Sequence, residues 1–308
     1  MPEILPAELS TTATFPPKPN VAEVSGSMRI PTLLRGFLFI LGCWAHLAGT
    51  LLSGAEIPAE TLALLKTFQE ELIAVTPGSG VFPASFVMGT PGGPFTEQPP
   101  QKITLAESFA MAKYEVPQNL WEAVMGSNPS KWKGKRNSVE MFSYREANDF
   151  CRKLTEFLRE SQLIKADEEI RIPTEAEWEY CCRAGTNTPY SFGESATKPG
   201  DAGPKASVLD EFGWHTGNAA GNDPPVGAKK ANPWGFHDMH GYLREFVSDP
   251  WRETYSAPAA EGATRRVVRG GSWKDRYECL RSGYREPIAE EARDDAVGLR
   301  CVRARVAK

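Results

Sequence analysis

The residues able to do chemistry in this chain are few and widely spaced. Six cysteines occur: Cys43, Cys151, Cys181, Cys182, Cys279 and Cys301. No Cys-x-x-Cys is present, so a zinc ribbon is not indicated. Cys279 stands in the run Gly270-Gly271-Ser272-Trp273-Lys274-Asp275-Arg276-Tyr277-Glu278-Cys279-Leu280-Arg281-Ser282. Its thiol has two readings: a reactive group beside Ser272 and Asp275, or a structural half-cystine or small buried apolar residue. His237 and His240 are three apart, a spacing that can bind metal on a helix. Here they flank Asp238 in a Gly-bounded stretch, which reads as loop histidines with satisfied hydrogen bonds. No Ser-His-Asp order, nucleotide loop or paired-carboxylate signature is present.

The elements that must position these groups belong to an ordinary globular chain. It has 308 residues, 41% hydrophobic and 24% charged, enough for one large domain or two small ones. A net charge of −4 gives no reason to expect nucleic acid or an anionic membrane surface as partner. The 27 Gly, 25 Pro and 8 Trp suit a loop-rich fold whose turns are fixed by Gly and Pro and whose core is anchored by large aromatics.

The N-terminus reads as a targeting segment. Residues 1–27 show no helix or strand period and read as an over-extended gene start. Residues 28–55 follow signal-peptide grammar: Arg29 and Arg35, an apolar run from Gly36 to Leu52, and small residues Ser53 and Ala55 before a cleavage site. The expectation is export to the periplasm or the extracellular space. A membrane anchor is the alternative, although Gly42, His46 and Gly49 interrupt the apolar run. A lipoprotein signal around Cys43 is a third option, opposed by the apolar continuation behind it. Cleavage would remove Cys43 and leave an odd number of cysteines, some of them paired in an exported protein.

Residues 56–75 predict a helix, ended by Thr76-Pro77-Gly78-Ser79-Gly80. Val81 to Met88 and Ile103 to Ala112 read as strands. A helix follows through Met125, with Pro117 in its first turn. Ser143 with Glu146, and Thr174 with Glu177, have capping-box spacing and start two more helices. The first carries Ala147, Phe150, Cys151, Leu154, Phe157 and Leu158 on one stripe. Beyond Gly185 the pattern is short strands and long ordered loops, closing with a hairpin-like pair near Val267–Arg269 and Val297–Val302. A few helices among short antiparallel strands argue for an α+β class.

Several separated strings carry a family resemblance. They are Arg-Ile-Pro-Thr-Glu-Ala-Glu-Trp-Glu-Tyr (171–180), Asn-Pro-Trp-Gly-Phe-His-Asp-Met-His-Gly (232–241), Val-Val-Arg-Gly-Gly-Ser-Trp (267–273) and Gly-Leu-Arg-Cys (298–301). Phe86-Val87-Met88-Gly89, Lys113-Tyr114-Glu115-Val116 and the run from Val124 to Ser130 add to them. In this order they resemble the formylglycine-generating enzyme, or sulfatase-modifying factor, family over residues 81 to 304. The resemblance implies a C-type-lectin-like fold elaborated by long loops. It also implies oxidation of a sulfatase cysteine to formylglycine, with molecular oxygen and a copper ion held by two thiolates. Two soft thiolates suit Cu(I), and a substrate thiolate can join them.

This chain departs from that pattern where the chemistry lies. Asp275 sits about where the first thiolate is expected and Cys279 near the second. One thiolate cannot form a two-sulfur site. By resemblance, Cys279 and Ser272 are the candidate catalytic residues, and Arg244, Trp273 and Asp275 line the substrate groove. Tyr242 and Arg244 replace a usual Asn and Trp, so recognition is expected to differ. The resemblance also implies a disulfide between Cys151 and Cys301. Cys182 matches a second half-cystine whose partner position is Ser282, which leaves Cys181 or Cys182 with Cys279 as a substitute pair. Finally it implies a calcium site of Asp238, the carbonyls of Gly241 and Leu243, and Glu245. These are hard oxygen donors, suited to calcium and poor for copper. The bland reading has Asp238 and Glu245 capping turns. Asn218 and Ala219 match part of a second calcium site.

The domain plan is therefore residues 56–80 as N-terminal helix and linker, followed by the 81–304 domain. Two functions compete. One is an exported oxidase of protein cysteine or a related substrate, using copper. The other is a non-catalytic, calcium-stabilised module that binds a peptide or glycan. A different oxidation, with Cys279 or Asp275 touching a metal supplied otherwise, is a third. The expected partner is a protein or peptide substrate such as a sulfatase, or a glycan, and the chain is expected to act as a monomer.

Overall fold

The computed structural model describes residues 57–306, so the proposed signal segment lies outside the described residues. Among the described residues four α-helices and ten short strands are joined by long loops. α1 (Ala59–Glu70) leads into β1 (Leu72–Val75), and β2 (Ser85–Met88) pairs with β3 (Gln101–Thr104). β4 (Phe109–Ala112), α2 (Gln118–Met125), α3 (Tyr144–Glu160), β5 (Glu168–Arg171) and α4 (Glu175–Arg183) complete the first half. The second half adds β6 (Arg244–Pro250), β7 (Arg265–Arg269), β8 (Arg285–Ala289), β9 (Val297–Gly298) and β10 (Val302–Arg305). The strands form a four-stranded sheet β1-β4-β10-β5, the β2-β3 pair and a second four-stranded sheet β8-β7-β6-β9. All pairings are antiparallel except β6 with β9. The class is α+β.

Both capping boxes form. The Ser143 hydroxyl accepts from the Glu146 N–H, and the Glu146 carboxylate accepts from the Ser143 N–H at 2.8 Å. Thr174 and Glu177 repeat the exchange at the start of α4. Each box satisfies two helix N–H groups that have no partner within the helix, and loss of the cap residue costs about 1 kcal/mol. The fixed starts set the faces. α3 turns Ala147, Phe150, Cys151, Leu154 and Leu158 into the larger apolar cluster, where Trp121 stacks on Phe150 at 4.8 Å. α4 is buried along almost its whole length.

The helix read over 56–75 divides at Glu71. Leu72 to Val75 leave it to pair with β4, while Leu65 and Phe68 of α1 enter the core. Residues 59–75 thus share a sheet and a core with the residues that follow them. The single strand read over 103–112 is two strands in different sheets, because Ala106-Glu107-Ser108 breaks it. The strand read over 81–88 is confined to its last four residues. The hairpin read near 267 and 297 is also replaced. β7 pairs with β8 and β6, while 297–302 divides between β9 and β10 in separate sheets. Charged residues at 285 and 286 hid β8, since Arg285 is buried against Glu175 and not by apolar packing.

Candidate functional site

Four loops converge at one end of the β6-β7 pair: 126–142 behind α2, 213–224, 240–243 ahead of β6, and 270–282 behind β7. Their backbone approach is close. Gly241 has φ 119°, and a Cβ there would collide with the Trp214 carbonyl oxygen. Gly271 has φ 67°, and its Cβ would press on the Cys279 carbonyl oxygen at 2.7 Å. Both positions need glycine for space as well as for conformation.

A buried ionic frame holds these loops. Glu179 of α4 pairs with Arg183 at 2.8 Å and with Arg269. Arg269 also donates to the carbonyls of Ser282, Gly283 and Tyr284, which ties the loop behind Cys279 to α4. Glu175 accepts from Arg285 at 2.6 and 3.0 Å. Arg300 donates to Glu245 and to the carbonyls of Ala112, Lys113 and His237. Trp178 Nε1 donates to the other Glu245 oxygen at 2.6 Å. The strings noted in the sequence therefore supply braces. Glu175, Glu179, Arg269 and Arg300 of these strings are buried, and truncating one partner leaves an uncompensated charge.

Within this frame Ser272, Asp275 and Arg244 come together. The Ser272 N–H and hydroxyl donate to Asp275 Oδ2 at 2.8 and 2.7 Å, and Arg244 donates to Oδ1 at 2.6 Å. Arg244 also pairs with Glu286. Cys279 lies farther along the same loop in a short 3-10 turn, Tyr277–Leu280, and is half-buried beside Tyr284. Burial pushes its thiol pKa up, so it is a neutral thiol at neutral pH. Among the described residues, the only two cysteine sulfurs within reach of each other are Cys151 and Cys301, 3.8 Å apart. Cys181 and Cys182 belong to a different apolar cluster from Cys279. Cys182 instead lies against Ser282, the Met239 carbonyl and His240, and burial raises its pKa to about 12.

The copper donor set fails here. By the family resemblance, the place of the first thiolate holds a carboxylate already bound by Arg244 and Ser272, and Cys279 supplies the one sulfur of that loop. A hard, ion-paired oxygen and a lone thiol do not make a Cu(I) site.

The calcium set is incomplete as drawn from the sequence. Both Glu245 oxygens are taken by Arg300 and Trp178. Asp238 Oδ2 accepts from the Gly227 N–H at 2.7 Å, but Oδ1 has no partner, and burial raises its carboxyl pKa to about 6. Glu115 accepts from the Leu243 N–H through one oxygen, and its other oxygen is also unpartnered. Its pKa is raised by burial and by the nearby Glu245 charge. Among the described residues no three His, Cys, Asp or Glu side chains are grouped to hold a metal, and these two carboxylates each keep one oxygen without a donor. Asn218 of the second calcium motif caps its own loop, accepting from His215 N–H and donating to Asp210 and the Gly213 carbonyl.

His240 has two satisfied ring nitrogens. Nδ1 faces the Leu280 carbonyl at 2.8 Å and must donate, so Nε2 accepts from the Ser191 N–H at 3.1 Å. Burial holds its pKa down at about 4. His237 likewise bonds the Lys229 carbonyl.

Beside the Asp275 pair opens a cavity of about 590 Å³. Trp132, Trp214, Tyr242 and Trp273 wall it, with Glu140, Asp223, Asp295 and Lys274 among the polar lining. Tyr242, φ 77°, is fixed through its hydroxyl, which donates to the Pro224 carbonyl and accepts from the Ser138 N–H. Thr216 on the cavity wall donates to the Asp275 carbonyl, joining the two parts of the site. Of the three groove residues expected, Trp273 lines the cavity, whereas Arg244 and Asp275 form their ion pair outside its lining. The remaining wall came from tryptophans in Gly/Asn/Pro-rich loops, where no period marks a side chain as site or core.

This architecture agrees with the comparisons. A sulfatase-modifying factor enzyme 1-like domain matches residues 65–305. The chain belongs to the sulfatase-modifying factor family. The chaperone protein LppX of Paenibacillus barcinonensis is 30% identical over 238 residues, covering 67% of this chain and 83% of the relative. The formylglycine-generating enzyme of Mycobacterium tuberculosis is 31% identical over 154 residues, covering 43% of this chain and 50% of that enzyme. Among solved structures, PvdO from Pseudomonas aeruginosa superposes with a TM-score of 0.61 at 25% identity, over 72% of this chain and 92% of PvdO. The fold is thus the C-type-lectin-like α+β fold of sulfatase-modifying factor proteins. Among the described residues no helix is long and apolar enough to cross a membrane.

Proposed function

We propose that this family member binds a peptide or glycan in the aromatic cavity and does not oxidise cysteine to formylglycine. The observation that carries the reading is Asp275, held by Arg244 and Ser272 where a thiolate would be needed. The neutral, half-buried thiol of Cys279 supports it. So does the preformed, tryptophan-walled cavity next to that ion pair, since ligand sites are concave and mostly apolar with a few fixed polar groups. A chaperone name on a relative covered over 83% of its length accords with binding. The test is oxygen uptake by the purified chain with copper and a Cys-containing sulfatase peptide. No uptake is expected, and aldehyde formation on the peptide would contradict the reading.

Two stabilising features belong to this proposal. In an exported chain Cys151 and Cys301 form a disulfide, tying α3 to the segment that precedes β10. A calcium ion is held by the free oxygens of Asp238 and Glu115, with loop carbonyls such as those of Gly241 and Leu243. The chain acts as a monomer that presents the cavity to its ligand.

A further inference from the structure

The chemistry of the cavity wall narrows the ligand, given the reading above that the cavity is a binding site. Three indoles wall it, and each already carries a lysine. Lys229 Nζ sits 4.0 Å from the Trp214 ring, Lys131 4.7 Å from Trp132 and Lys274 5.3 Å from Trp273. The usual attraction of an aromatic cage for a cation is therefore spent on the protein's own ammonium groups, which would repel an ammonium or guanidinium ligand. An anion meets the opposite obstacle. Glu140, Asp223 and Asp295 line the cavity, and Asp295 is already paired with Lys131 and Lys274. The lining carries three carboxylates and Lys274, with Lys131 and Lys229 behind it on two of the indoles, so a ligand of either charge meets like charge near the wall.

Three lining side chains carry a buried polar atom without a partner: Ser138 Oγ, which can donate or accept, Trp214 Nε1 and Glu140 Oε2. Trp214 Nε1 can only donate, and Glu140 Oε2 can only accept while ionised. Glu140 is only 3% exposed, and its other oxygen accepts from the Trp132 N–H at 3.0 Å. Each such atom costs about 1–3 kcal/mol while it stays unpaired. A ligand that seats against this wall must offer both a donor and an acceptor, as a hydroxyl does. It must also carry apolar faces to lie on flat indoles. The lining residues are all outside the strands, so no sheet edge is offered to an extended peptide backbone.

We infer that the cavity recognises a neutral saccharide, with its C–H faces on Trp273 and Trp132 and its hydroxyls bonded to Trp214 Nε1 and Glu140 Oε2. Trp132 lines the cavity and is 47% exposed, so its ring is also open to solvent.

The test uses the full chain on matched arrays of neutral, acidic and aminated oligosaccharides and of peptides, with each hit then titrated by tryptophan fluorescence. Neutral glycans are expected to bind with an affinity that changes little with salt. Trp214→Phe keeps an aromatic face and removes the unpaired donor, and Glu140→Gln keeps the oxygen that accepts from Trp132. Neither deletes a hydrogen bond of the folded chain, although Trp214→Phe weakens the Lys229 contact, so both are expected to fold, and their melting temperatures are read beside the affinities. Each is expected to weaken glycan binding about tenfold, the loss of one good hydrogen bond. Peptide hits that are weakened by Trp214→Phe would overturn the saccharide inference and leave the binding reading standing. Charged glycans with steep salt dependence would also overturn it. Absence of any hit on both arrays would overturn the inference and the binding reading together.

Discussion

Arg244 at the start of β6 and Asp275 in the loop behind β7 are joined at 2.6 Å, and both are largely buried. Ser272 closes the other side of the carboxylate. The pair locks the 270–276 loop onto β6 and so fixes Trp273 in the cavity wall. By the family resemblance, it also puts an ion-paired carboxylate where a metal-binding thiolate is expected.

Asp275→Ala strands the Arg244 guanidinium beside Glu286 alone and frees the Ser272 hydroxyl. Breaking a buried pair in this way costs about 3 kcal/mol. Urea denaturation should show that loss, and Asp275→Asn, which keeps one acceptor, should show less. An unchanged midpoint for Asp275→Ala would mean the pair holds nothing.

His240 predicts an acid-side loss of stability. Its pKa falls from 6.5 to about 4 in the folded chain, because burial disfavours the charge. Below pH 6.5 the unfolded chain takes up a proton that the native one refuses, so stability declines as pH falls toward 4 and levels off below it. A shift of this size corresponds to about 3 kcal/mol at most. Urea titrations across that window should give a steeper pH slope for the wild type than for His240→Phe. The variant is expected to be less stable overall, since the Ser191 N–H and the Leu280 carbonyl lose their partner.

Thiol accessibility should separate the cysteines. In the native reduced chain Cys279 is the first to react with iodoacetamide, and slowly, because its thiol is neutral. Cys181 and Cys182 stay unlabelled, being wholly buried with raised pKa. In oxidised protein, non-reducing peptide mapping should join Cys151 to Cys301. Closing so long a loop stabilises by about 5 kcal/mol in the chain-entropy limit. A map that joins Cys182 to Cys279 would contradict this arrangement.

Calcium should raise the melting temperature through the unpartnered oxygens of Asp238 and Glu115. Ligand linkage makes the rise grow with calcium concentration, and Asp238→Asn should abolish it. A melting temperature indifferent to calcium and to chelator would remove the ion from the account.

Much of the fold was legible where local chemistry decides it. Ser143 with Glu146 and Thr174 with Glu177 marked helix starts correctly, because capping is a contact between residues three apart. Leu72 to Val75 were misread because apolar residues at helical spacing also fit a strand, and only pairing with β4 chooses between them. The lone thiol was legible from Cys279 and Asp275. The partner of that aspartate was not: Arg244 is 31 residues away, and only the sheet brings it near. Glu245 shows the same limit. The resemblance assigned it to calcium, while the distant Arg300 takes its charge.

The central claim is that one sulfur beside an ion-paired aspartate cannot hold copper as the family enzymes do. Competition with a Cu(I) chelator of known affinity, on wild type and Cys279→Ser, tests it most directly. The account predicts affinity of about micromolar or weaker, the same in both proteins. Tight Cu(I) binding that disappears in Cys279→Ser would contradict it.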